Sequence, residues 1–286
     1  MTRPSRCAAA SGNRVRPFGW EASRSTSSTV CIHARRRGRG EIHPNVELQR
    51  SIHWASEQHF ELAVDAVAGE HHAERSCDAV GDVVSLSLGW PGLHEEWAAP
   101  IQALLDAGVV VVAAVGNEFT SAGVPKTRSP ANFLTEPRDA ADGILIAVGA
   151  HDRTGAIWDD SGGGQIDWAN VKVGQTDGST RPSIFATMPP RIVPALVGPG
   201  VDIVSATPGD KYFATAGSSM ATPHIAGLLA LVLCGLRTHD PSTRPRAAAD
   251  LVLANLTDVP PVGIDIRSGG GRVGLDRLLD ALAATK

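Results

Sequence analysis

A serine and an asparagine have the types and settings for acyl-transfer chemistry. Ser219 lies within Gly217-Ser218-Ser219-Met220-Ala221-Thr222-Pro223-His224. A serine hydroxyl is a poor nucleophile unless a base takes its proton and a site receives the oxyanion. Residues 212–216 read as extended and 221–236 as an apolar helix, so Ser219 stands where an extended segment feeds a helix start. Backbone N–H groups at such a start point toward developing negative charge. Pro223 reads as a first-turn residue, where a missing N–H does no harm. Asn117 closes an apolar run, 109–115. A side-chain amide at the end of a buried strand is a preorganised dipole, and losing one oxyanion donor typically costs roughly 3 kcal/mol of transition-state stabilisation. The plainer readings are a helix cap for the serine and a turn-forming Asn after a strand.

The elements that must position these residues can be read from periodicity. Residues 52–73 repeat apolar positions at three- and four-residue steps, as a helix does. Residues 82–89 form a short apolar run ending in Gly89, a buried strand. A helix is expected near 97–107, stopped by Gly108. The run 109–115 shows no polar alternation, so both its faces should be buried, as in a parallel sheet. Residues 144–148 repeat that signature, and 201–205 do so more weakly. The stretch 151–195 reads as long loops. Asp240-Pro241-Ser242 reads as the cap of another helix, and a last helix covers 275–284. Strands alternating with helices predict an α/β fold, a doubly wound, mainly parallel sheet with helices on both faces.

Composition narrows the class further. With 43% hydrophobic and 20% charged residues, the chain has the balance of a globular domain. A net charge of −4 points to neither nucleic acid nor an anionic membrane. Residues 1–40 depart from this, with nine Arg against one acid, Glu21. Such an arm can bind a polyanion, but residues 1–50 carry no hydrophobic period and read as an irregular, Arg-rich leader. The four cysteines, Cys7, Cys31, Cys77 and Cys234, have no zinc spacing and suggest free thiols. There is no secretory apolar core in the first twenty residues and no run of eighteen apolar residues, so no signal peptide and no membrane span are expected. No cofactor is called for, and no metal ligand is assigned.

The octapeptide 217–224 resembles the G-T-S-M-A-T-P-H signature of the subtilisin-like serine peptidases at seven of eight positions, with Ser218 in place of Thr. Ala114-Val115-Gly116-Asn117-Glu118 resembles that family's A-A-G-N-E element, and Ser87-Leu88-Gly89 its S-L-G strand end. Ser129-Pro130-Ala131, Val148-Gly149-Ala150, Gly198-Pro199-Gly200-Val201-Asp202-Ile203 and Gly271-Arg272-Val273-Gly274-Leu275-Asp276 resemble further elements, in order, over 82–286. The resemblance implies a serine endopeptidase acting on peptide or protein substrates. It implies that Ser219 is the nucleophile and Asn117 an oxyanion donor. It also implies that Ser87, Leu88 and Gly89 line the specificity pocket and pair with substrate backbone. His224 belongs to the signature, is not the family's catalytic His, and reads as helix packing.

The proton-transfer side does not follow the family. Its Asp should stand in a D-T/S-G element and its His in an H-G-T-H element, both before Ser87. Residues 1–64 contain no Asp, and none of the ten His is followed by Gly. Asp65, Asp78 and Asp82 are the Asp residues that precede Ser87. His71-His72 comes too late and reads as solvated helix-end residues; His33, His43, His53 and His59 fit no better. No base and no acid are assigned. Loss of the base typically removes about 10⁶-fold from kcat, so little or no turnover is expected of this chain. The N-terminal part of the fold reads as incomplete, which should expose apolar faces of the 109–115 strand or its neighbours. A truncated or frameshifted gene, a misplaced start, or a pseudopeptidase completed by another subunit would each give this pattern. The rival function is a non-catalytic module that adds a peptide strand at Ser87-Leu88-Gly89.

Overall fold

The computed structural model describes residues 31–33, 47–49, 81–133, 143–175, 178–207 and 211–285. The helix expected over 52–73, with Asp65, Asp78 and the pair His71-His72, lies outside them. Strands β1 (Cys31–His33) and β2 (Glu47–Gln49) pair antiparallel with each other, and β1 lies beside the strand that follows. That strand is β3 (Val83–Leu86). After it come β4 (Trp90–Pro91), a 3-10 turn (Glu95–Trp97) and helix α1 (Ala98–Asp106). Gly108 ends the helix turn with φ +81°, as expected of a glycine there. Strands β5 (Val110–Ala114), β6 (Arg128–Ser129) and β7 (Leu145–His151) follow.

The stretch read as loops carries four short strands: β8 (Gly164–Ile166), β9 (Lys172–Gly174), β10 (Thr180–Pro182) and β11 (Arg191–Val193). They pair only with one another, β8 with β11 and β9 with β10, both antiparallel. Beyond them lie β12 (Leu196–Pro199), the hairpin β13 (Ile203–Thr207) and β14 (Lys211–Thr215), and helix α2 (Ser218–His239). Helix α3 (Pro245–Ala254), β15 (Leu256–Thr257), β16 (Arg272–Val273) and helix α4 (Leu275–Ala284) complete the chain.

The central sheet has the order β15-β16-β12-β7-β5-β3. Its pairs are parallel except β15 with β16. Alternate residues of β5 serve opposite faces. Val111 and Ala113 pack with Ile101, Leu104 and Leu105 of α1 and with Phe133 and Trp168. Val110 and Val112 pack with Ile225, Leu229 and Leu233 of α2 and with α3 and α4. Two apolar layers thus explain the unbroken valine run: a side chain pointing either way is buried, gaining about 1.5–3 kcal/mol. The expected doubly wound α/β sheet is present.

Three expectations are corrected. The sheet strand after β7 is Leu196–Pro199, whereas 201–205 overlaps β13, whose Val204 is exposed on a separate hairpin. The helix after α2 begins at Pro245; Asp240 instead accepts the Ser242 N–H at 2.9 Å in a local turn. No apolar face of β5 is exposed, and Val83–Leu86, at the edge of the described sheet, are buried too. Helix α2 has the length and composition to cross a membrane, yet it lies packed on the sheet, with Ala221, Ala226 and Leu229 fully buried.

Candidate active site

Three segments converge outside the carboxyl ends of parallel strands, where open α/β sheets form their crevices. Ser87 follows the end of β3, Gly116 and Asn117 follow β5, and Gly217–Ser219 open α2. Gly116 has φ +117°, and a Cβ there would lie 2.7 Å from Glu118 Oε2. Only glycine turns the chain at this point without a clash.

Ser218, fully buried, locks Asn117 in place. The Ser218 N–H donates to Asn117 Oδ1 at 2.8 Å, and the Ser218 hydroxyl lies 2.9 Å from the same oxygen. The hydroxyl also accepts the Gly116 N–H at 3.1 Å and lies 3.0 Å from the Gly116 carbonyl. A backbone N–H can only donate, so Oδ1 must be the atom that faces Ser218. The amide nitrogen of Asn117 is therefore the end left to donate elsewhere, and it sits beside Gly217. The Met220 and Ala221 N–H groups return to the Gly217 carbonyl. The Ser219 N–H makes no such bond among the described residues, so it and Asn117 Nδ2 are the donors available to an oxyanion.

Ser219 is half-buried in the first turn of α2. Its hydroxyl lies 3.5 Å from the Ser87 carbonyl, and the Ser87 hydroxyl donates to the Ser219 carbonyl at 2.7 Å. Pro223 sits in the second turn rather than the first. The N–H it lacks would have served the Ser219 carbonyl, four residues back.

Of the Ser-Leu-Gly segment, Ser87 is brought into contact with Ser219. The Leu88 side chain is buried in the core with Trp97 and Ala98. Gly89 backs onto β6, where a Cβ would lie 2.7 Å from the Ser129 carbonyl oxygen. Glu118 and Arg128 form an ion pair across this end of the sheet. Glu118 Oε2 accepts the Asn117 N–H at 2.8 Å, and Arg128 Nη1 donates to the Gly89 carbonyl at 3.2 Å. The pair thereby links the asparagine to the Ser-Leu-Gly segment. Sequence reasoning missed Ser218 and Arg128 as contributors to the site. The only hint was adjacency, to Ser219 and to the Ser-Pro-Ala element.

Asp82 opens β3 and pairs with Arg237 near the far end of α2, about 27 Å along the axis from Ser219 at 1.5 Å per residue. His224 is exposed rather than packed, its Nδ1 2.7 Å from the Met220 carbonyl. His33 belongs to β1; His43, His53 and His59 lie outside the described residues. Among the described residues Cys234 is a free, exposed thiol.

The chain resembles known proteins in sequence and in fold. It is 30% identical over 152 residues to a subtilisin of Bacillus pumilus, covering 53% of this chain and 42% of that protein. It is 31% identical over 157 residues to a thermophilic serine proteinase of Bacillus sp. (strain AK1), covering 55% and 29%. The chain spans less than half the length of either relative. Among solved structures, the prenylagaramide maturation protease PagA superposes with a TM-score of 0.55 at 20% identity, covering 84% of this chain and 71% of PagA. The self-cleaved protease domain of PatA gives 0.51 at 23%, covering 77% and 68%. At such identities the likeness concerns the fold alone. Residues 48–271, well over half of the chain, match the Subtilase family, Peptidase S8, and the chain belongs to this family of serine-type endopeptidases.

Proposed function

We propose that Ser219 is the nucleophile of peptide-bond hydrolysis, with Asn117 Nδ2 and the Ser219 N–H holding the oxyanion. The observation that carries this reading is the pair of Ser218 contacts to Asn117 Oδ1, which turn the amide nitrogen away from Ser218 and beside the start of α2. In the reaction the Ser219 oxygen bonds to the substrate carbonyl carbon, its proton passes to a base, and the carbonyl oxygen gains the negative charge. The C–N bond then breaks, the amine leaves with a proton, and water releases the acyl group. The backbone of Ser87, Leu88 and Gly89 receives the peptide.

The base has no counterpart in a His-Gly element of this sequence. The hydrogen bond that the Ser219 hydroxyl makes among the described residues goes to the Ser87 carbonyl, which cannot take up a proton. We therefore expect slow turnover from the chain by itself. The test is a fluorophosphonate probe with the adduct mapped by mass spectrometry. A slow adduct on Ser219, abolished by Ser219→Ala, is expected. Brisk labelling would show that a competent base is present, and an adduct that survives Ser219→Ala would refute the assignment. The same hydroxyl geometry favours, as a second reading, a module that holds peptides without cleaving them. Peptide affinity equal in the Ser219→Ala variant, with no turnover by the parent, would select it.

A further inference from the structure

Helix α2 runs unbroken from Ser218 to His239 although Pro223 lies inside it. A proline at that position cannot donate to the carbonyl four residues earlier, and its ring presses against that same carbonyl. Here the carbonyl belongs to Ser219. A part-buried carbonyl left without a donor is costly, and the loss of a single hydrogen bond shifts a local equilibrium by about tenfold. The donor comes from another element. Ser87, 2% exposed at the end of β3, gives its hydroxyl proton to the Ser219 carbonyl at 2.7 Å, across 132 residues of sequence.

We infer that Ser87 is a positioning residue, whose hydroxyl replaces the helical N–H deleted by Pro223 and fixes the turn that carries Ser219. This rests on the reading of Ser219 as nucleophile and assigns Ser87 a task beyond pairing with substrate. The substitution of one donor for another has a geometric consequence. A helical N–H would tie the Ser219 carbonyl to α2 alone. The Ser87 hydroxyl ties it to the strand end that is to hold the peptide, so nucleophile and substrate strand share one reference point. The Ser218 N–H bonded to Asn117 Oδ1 ties the preceding residue to β5 in the same way. The first turn of α2 is thus tied to two strand ends as well as by its own helical bonds.

The test is a double-mutant cycle on the full chain: the parent, Ser87→Ala, Pro223→Ala and the double variant. Hydrogen exchange of the amides of 217–222 is the first readout, and the rate of fluorophosphonate labelling is the second. Ser87→Ala is expected to speed exchange in 217–222 by about tenfold and to leave β7 unchanged. Pro223→Ala, which restores the helical donor, is expected to cancel most of that effect in the double variant, and labelling should fall and recover in parallel. General destabilisation would not be rescued by a change at position 223. Equal acceleration by Ser87→Ala in both backgrounds, or none in either, overturns the inference. So does a double variant that fails to fold where Ser87→Ala alone also fails. If none of the four proteins is labelled, the peptidase reading fails, while the exchange data still decide the role of Ser87.

Discussion

Arg237 holds Asp82 at two points, Nη1 to Oδ2 at 2.6 Å and Nη2 to Oδ1 at 2.7 Å, joining the last turns of α2 to the start of β3. At the other end of the same strand and helix, Ser87 meets Ser219. The helix that carries Ser219 is therefore registered on one strand at both ends, polar at each end and apolar between. This arrangement also explains why Asp82 cannot serve as the acid of a triad.

Replacing Arg237 with Ala should lower stability by about 1–2 kcal/mol, below the cost of breaking a fully buried pair because both side chains are partly exposed. Arg237→Lys should recover little, since an ammonium cannot match both carboxylate oxygens. Urea unfolding of the two variants checks this; a lysine variant as stable as the parent would show that charge alone suffices.

Removing the Ser218 hydroxyl strips the Gly116 N–H of its acceptor in a fully buried place. Ser218→Ala should cost about 1–3 kcal/mol and loosen Asn117 as well. Thermal unfolding measures the first effect, and the labelling rate of Ser219 the second. A stable variant with an unchanged labelling rate would remove Ser218 from the account of the site.

Acid should weaken the loop 178–188 through Glu95. Burial opposes ionisation of this carboxyl, but the hydrogen bonds it accepts from Ser183, Arg181 and the Ile184 N–H outweigh that and hold its pKa below the ordinary 4.5. A carboxyl with a depressed pKa in the folded state contributes stability above its unfolded pKa and loses it as the pH falls through the folded value. Unfolding free energy should therefore drop as the pH is lowered below about 4.5, and Glu95→Gln should flatten that slope. An acid limb as steep in the variant as in the parent would assign it to other carboxylates.

Much of this was legible in the sequence, and the exceptions have physical causes. The valine run of β5 and the apolar helix α2 are buried on the faces their patterns indicate. Strand β12 was hidden because Gly198 and Pro199 look like loop residues. It is a strand because Leu196 and Val197 fill the space beside β7, a requirement visible only in three dimensions. Residues 201–205 look more like strand by composition yet lie on the exposed hairpin. In the candidate site, Ser219, Asn117 and Ser87, which the structure brings together, stand in short motifs. The hold of Ser218 on Gly116 and Asn117 spans about a hundred residues, and the bond from Arg128 to Gly89 depends on how β6 crosses the strand ends. Neither leaves a periodic signal.

The central claim is that Asn117 and Ser219 together form a preassembled oxyanion site. A peptidyl boronic acid, which forms a tetrahedral adduct on a serine hydroxyl, tests it most directly. Affinities are to be compared for the parent chain, Asn117→Ala and Ser219→Ala. Measurable binding by the parent, weakened roughly a hundredfold by Asn117→Ala and abolished by Ser219→Ala, is the predicted result. Equal affinity in all three proteins would contradict the claim.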